Sequence, residues 1–129
     1  MTITLNDTTL RNTIADAVVS RLGAGTTNPT ARLIFRTGAN AVLSTNNFSA
    51  PPAGSASSGS VTFSAIANAT IAATGTAANF IATNRDNTTI FSGDVSVTAG
   101  SGDIKFNTVS WTSGDTCSVS SLTLTVPGA

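Results

Sequence analysis

The chain has 129 residues, enough for a single domain that buries roughly two-thirds of its unfolded surface without metal or disulfide support. Ser, Thr and Asn supply 50 of the residues and Ala another 19, whereas Glu, Gln, His and Tyr are absent. Six Lys/Arg balance six Asp for zero net charge, so the basic footprint that phosphate neutralisation demands is missing and no nucleic-acid partner is expected.

No basic leader, long apolar stretch or small-residue cleavage site follows Met1, so no export signal is expected. Nor does any run of about 18 apolar residues occur that would span a membrane. Thr2-Ile3-Thr4-Leu5 alternates enough to add as an edge strand to a neighbour, which makes Ile3 and Leu5 candidate contacts. A helix is predicted over 7–22. Asn6 or Asp7 caps it, Leu10, Ile14, Val18 and Leu22 recur every four residues, and Gly23 offers a left-handed stop. Asp7 and Arg21 suit the two ends of the helix dipole, and Arg11, Asn12, Asp16 and Ser20 fall on the solvated side. That polar face is not basic, so the helix is expected to pack on the protein's own sheet rather than on a membrane surface.

Beyond Gly23-Ala24-Gly25 the chain turns to short runs rich in Val, Ile, Phe and Thr, split by Gly, Asn, Asp and Ser. Strands are predicted near 31–37, 41–48, 60–73, 77–84, 88–98, 104–111 and 116–126. Turns fall at Thr37-Gly38-Ala39-Asn40, Arg85-Asp86-Asn87 and Thr112-Ser113-Gly114-Asp115. Such spacing predicts one domain over 1–129, mainly β: an antiparallel β-sandwich or flattened barrel of about seven or eight strands with one N-terminal helix. The stretch 49–59 is rich in Pro, Ser and Gly and is expected to be an exposed, flexible loop, either an interaction arm or a crossover between sheets. Pro51, Pro52, Ser55 and Ser57 are its candidate contact residues. In the last predicted hairpin, Ile104 and Phe106 alternate before Val109 and Trp111 take over, and Cys117 and Val119 alternate before Leu122, Leu124 and Val126. With a turn centred at Ser113–Gly114 the two slips lie opposite each other. That suggests either a bend within one core or a projecting tip whose Val109 and Trp111 contact another subunit.

Chemistry-bearing residues are few. Without His, only the six Asp, Lys105 and Cys117 exchange protons in the usual range, and one Cys with no His builds no zinc site. Cys117 reads as a small buried hydrophobe. Gly23-Ala24-Gly25 and Gly100-Ser101-Gly102 lack the strand-before, helix-after context of a phosphate loop and read as turns. Asp86, Asp94, Asp103 and Asp115 sit beside Gly, Asn or Ser at predicted strand ends, where carboxylates close turns. No Asp-x-Asp spacing suggests calcium, so no catalytic residue, cofactor or metal is assigned.

Several stretches carry a resemblance. They are the opening Leu10-Arg11-Asn12-Thr13-Ile14-Ala15-Asp16-Ala17, Leu33-Ile34-Phe35-Arg36-Thr37-Gly38, Ala73-Thr74-Gly75-Thr76-Ala77 before Phe80, Ile90-Phe91-Ser92-Gly93-Asp94-Val95, and the closing Leu122-Thr123-Leu124-Thr125-Val126-Pro127. In pattern and length the chain resembles small tailed-bacteriophage capsid decoration, or cement, proteins. That resemblance implies a non-enzymatic virion protein on the capsid exterior, made in the host cytoplasm. Its implied partners are the phage major capsid protein and itself, as a homotrimer. The alternative is a tail, fibre or adhesin module that binds a receptor or carbohydrate.

Overall fold

The structure is a computed structural model and describes residues 3–128. Helix α1 spans Thr8–Leu22, and the Asp7 carboxylate caps it by accepting from the Thr9 N–H at 2.9 Å. Its buried stripe is Ala15, Val19 and Leu22, while Leu10 is 45 % exposed. The apolar four-residue repeat therefore misplaces the buried face, and the reason is polar. Asn12 and Asp16 bind the backbone of a docked segment; Asn12 is half-buried beside Ala15 and Val19, whereas Asp16, like Ser20, is exposed as expected. Asn12 Oδ1 accepts from Gly59 N at 2.8 Å and Asp16 Oδ1 from Ala56 N at 2.7 Å. Gly23 ends the helix at φ −78°, not in the left-handed region; what it supplies is room for the Pro52 ring.

Eleven short strands follow: β1 Arg32–Arg36, β2 Val42–Asn47, β3 Ser60–Thr62, β4 Ala69–Thr70, β5 Gly75–Thr76, β6 Asn79–Thr83, β7 Thr89–Val97, β8 Ile104–Phe106, β9 Ser110–Trp111, β10 Thr116–Cys117 and β11 Thr123–Thr125. Five of them form one sheet in the order β2-β1-β6-β7-β8. The predicted turn at 37–40 joins β1 to β2, with Asn40 at φ 68°. The turn at 85–87 joins β6 to β7, with Asn87 at φ 67°. Buried Asn84 holds the second turn by accepting from the N–H groups of Asp86 and Thr88, both at 3.0 Å.

The exception to the antiparallel expectation is β8, which lies parallel to β7 with Val95 opposite Ile104. Parallel neighbours ordinarily need a crossover of a dozen or more residues. Here the chain folds back directly over β7, and Gly100 and Gly102 permit it: a side chain at Gly102 would meet the Ser96 backbone nitrogen at 2.6 Å.

The opposing layer is a ribbon of two long, interrupted segments. At one end β3 pairs with β11; at the other β4 pairs with β10 and β5 with β9, all antiparallel. The predicted hairpin of 104–111 with 116–126 is thus corrected. Thr112–Asp115 does turn, with Asp115 N donating to Thr112 O at 3.1 Å, but the strands on either side pair with 69–76 and not with each other. Thr62 faces Thr123 and Ala69 faces Cys117, seven steps against six, so the ribbon carries one extra residue and bends. It also runs along the free edge of β2, through Ala67 N to Asn47 O at 2.9 Å and Ala72 N to Leu43 O at 2.8 Å. Sheet, ribbon and helix make the mainly-β flattened barrel that the strand spacing predicts.

Between the layers all seven aromatic side chains form one connected series. Trp111 meets Phe106 and Phe35 with ring centroids 5.0 and 5.5 Å apart, Phe35 leads to Phe80, and Phe80 leads through Phe91 and Phe63 to Phe48. Most of these contacts are tilted or edge-on, the arrangement the ring quadrupole favours. Ser44, Asn46, Thr83 and Asn84 are the buried polar side chains, and Asn46 links the layers. Asn46, fully buried on β2 opposite Leu33, donates from Nδ2 to the carbonyls of Ala67 and Cys117, each at 3.1 Å, and accepts from Ser44 Oγ at 2.7 Å. It therefore ties the sheet to both strands of the ribbon. Replacing it with apolar Asn46→Leu orphans the buried Cys117 carbonyl and the Ser44 hydroxyl and breaks the bond to Ala67, and should lower the unfolding free energy by about 2–4 kcal/mol in denaturant titration.

Candidate functional site

The sequence-predicted contacts separate on the structure. Trp111 is buried, its indole Nε1 donating to Thr108 O at 2.9 Å, and Val109 is half-buried against the core. The tip that these residues form packs inside its own chain, so the subunit-contact reading of Trp111 is corrected to the bend within one core.

The 49–59 segment is corrected in part: it is exposed at most positions but tied down. Pro52, Ala53 and Gly59 are buried, Ala53 bridges to Phe63, and Ser64 N donates to Pro52 O at 2.9 Å. With Asn12 and Asp16 holding its far half, the segment is a wedge between helix and ribbon. Small side chains are what let backbone dock so closely, and composition alone reads them as a loop. Ala50, Pro51, Gly54, Ser55, Ser57 and Ser58 are exposed, as expected; what differs is that the backbone between them is anchored to helix and ribbon. At the N-terminal arm, Ile3 is 78 % exposed and Leu5 is half-buried on the core; Thr2 lies outside the described residues.

A surface that the sequence reading did not single out is the outer face of the five-stranded sheet. Strand pairing places Thr45, Ile34, Ile81 and Ser92 side by side in one row across β2, β1, β6 and β7. Arg36, Asn79 and Asp94 line up on one side of that row, and Asn47, Arg32 and Thr83 on the other. Its signal was legible in Arg32-Leu33-Ile34-Phe35-Arg36. Leu33 and Phe35 fix the inward phase, which leaves Ile34 pointing out between two arginines. Both arginines are oriented by neighbours: Arg36 Nε donates to Asn79 Oδ1 at 2.9 Å, and Arg32 donates to Asn87 Oδ1.

The ionisable groups mostly serve the backbone. Asp7 caps α1, Asp16 holds Ala56, and Asp103 Oδ2 accepts from Asp94 N at 3.0 Å. Asp86 accepts from Thr26 N, Thr27 N and Thr27 Oγ1 at 2.9–3.0 Å, clasping the loop after α1 to the β6–β7 turn. These bonds, the Thr26 N–H foremost, hold its carboxyl below the ordinary value of 3.8. Burial raises the Cys117 thiol, against hydrogen bonds from Ser44 and Asn46, which makes it a poor nucleophile. Among the described residues no group of three or more His, Cys, Asp or Glu side chains gathers to hold a metal, and no helix is long and apolar enough to cross a membrane.

Two grooves are open to solvent near these features. One of about 330 Å³ lies between the last turns of α1 and Ser49–Pro52, with Arg85 at its rim. The other, of about 290 Å³, separates β7 from β11 and is lined by Phe63, Phe80 and Phe91. Compared with known proteins, the chain matches no family model, no curated protein and no solved structure.

Two outcomes test these assignments. Trp111→Ala should cost about 3–5 kcal/mol of stability, followed by far-ultraviolet circular dichroism because the sole Trp is gone; a loss below about 1 kcal/mol would return Trp111 to the surface. For Asp86, a folded-state pKa below the unfolded one contributes stability above the unfolded value, and this is lost as pH falls through the folded value. The gap in melting temperature between wild type and Asp86→Asn should therefore be widest at neutral pH and close on acidification.

Proposed function

We propose that this chain is a non-enzymatic structural protein of a virion, a decoration protein that binds an assembled capsid shell and associates with itself. The observation that carries the reading is the outer sheet face. Its central row, Thr45, Ile34, Ile81 and Ser92, is uncharged, flanked by two oriented arginines and Asp94. Covering that central row removes no charge from water, so a contact confined to it avoids the desolvation penalty of a Lys- and Asp-rich surface, with the flanking charges left at the rim. The resemblance to bacteriophage cement proteins supports the same partner, the major capsid protein, and a homotrimer as the adhering unit. Weak contacts repeated over a shell then act through avidity. In this reading the aromatic residues are structural and the carboxylates are backbone anchors, leaving hydroxyl-rich faces to make contacts.

Mixing the purified protein with decoration-free expanded capsids should give ordered added density at symmetry positions in electron microscopy. Placing arginines in the central row, Thr45→Arg with Ser92→Arg, should leave the melting temperature close to wild type and lower occupancy by about tenfold, the scale of one poorly compensated charge at a contact. Shells that stay bare would overturn the capsid reading in favour of a tail or receptor-binding module.

A further inference from the structure

The groove between β7 and β11 has the form of an unfilled strand position. Leu122 O accepts from Phe63 N and Val126 N donates to Gly59 O, so both groups face β3. By the two-residue alternation of a strand, the backbone groups of Thr123 and Thr125 point the other way. On the opposite wall, Asp94 turns both its N–H and its C=O away from β6 toward Asp103, at 3.0 and 2.9 Å. Ser92, two residues earlier and before the β8 pairing begins at Val95, presents its backbone on that same side. Two strand edges thus face one slot of about 290 Å³, floored by Phe63, Phe80, Phe91, Leu122 and Leu124. An open edge beside apolar pockets is the acceptor half of strand addition.

The donor half is in the same chain. Ile3, Thr4 and Leu5 alternate apolar, polar, apolar, a length that matches three-residue β11. The Leu5 carbonyl lies against Gly128, just past β11, so the arm leaves the body at the end of the slot. Ile3 projects outward at 78 % exposure, above Leu10, Val42 and Val97, the other exposed large hydrophobic side chains. We propose that the arm, led by Ile3 and Thr4 of one copy, adds as a strand along β11 of a second copy, with Ile3 entering the groove between Phe91 and Leu124 and Leu5 staying on its own core as the anchor. Each copy carries one arm and one slot, so the contact is head-to-tail and closes into a ring when the rotation allows. This inference deepens the self-association in the proposed function and rests on that reading.

The test uses the full chain without capsids, so its failure is distinct from a failure of shell binding. Protein carrying Thr4→Cys is mixed with protein carrying Thr123→Cys or Thr125→Cys and oxidised; these hydroxyl side chains lie on the solvent side, and buried Cys117 serves as the unmodified control. The expected result is a disulfide-linked dimer of unlike chains on a non-reducing gel in at least one mixture. Light scattering should also show Ile3→Asp falling to the monomer mass with an unchanged circular dichroism spectrum. Absence of the mixed dimer in both mixtures overturns the proposal. So does a cross-link that forms only within single chains carrying both cysteines, since the arm then fills its own slot.

Discussion

The architecture depends on one connected row of aromatic rings. A chain with 9 % charged residues and seven aromatics has little else with which to join a sheet to a ribbon. Phe35 and Phe80 stand directly opposite each other on β1 and β6, and they meet Trp111, Phe106 and Phe91 from other elements. Each ring buries more apolar area than any one of the abundant Ala and Thr residues. That concentration frees the remaining sequence to be small and hydroxylated.

Small residues bring a second constraint, because they let backbone approach backbone and leave many polar groups to satisfy. The fold meets this with side chains that imitate strands and turns. Asn46 supplies two donors between layers, Asn84 closes a turn, Asn12 and Asp16 hold the wedge under the helix, and Asp86 clasps two loops. The carboxylates and carboxamides that a search for chemistry singles out are therefore the joinery of the domain. In the proposed function they keep the sheet face rigid, and rigidity lowers the ordering cost of a weak contact.

Fold class, helix, the 37–40 and 85–87 turns and the inward phenylalanines were legible in the sequence because each rests on local periodicity or turn chemistry. Partnership was not. Whether 109–111 pairs with 116–117 or with 75–76 depends on chain that arrives from elsewhere, and a turn at Thr112–Asp115 fits both. The helix stripe was misplaced because Asn12 and Asp16 hold a docked backbone, a tie that a hydrophobic count does not register. The 49–59 segment misled for the converse reason: Pro, Ala and Gly mark flexibility in isolation but dock tightly beside a helix. Of the candidate contacts, Ile3 could be read from alternation, whereas the Ile34–Ile81 row required the strand order.

The ribbon also fixes when the domain can exist. Ser60 meets Thr125 across 65 residues of chain, and Thr62 meets Thr123 across 61, so β3 has no partner until β11 has left the ribosome. Until then Phe48 and Phe63 lie on a half-built layer with their apolar faces uncovered. Such long-range closure is slow. The shortness of the ribbon's own strands, two or three residues each, then acts as a safeguard during synthesis, since such edges offer neighbouring nascent chains little to pair with.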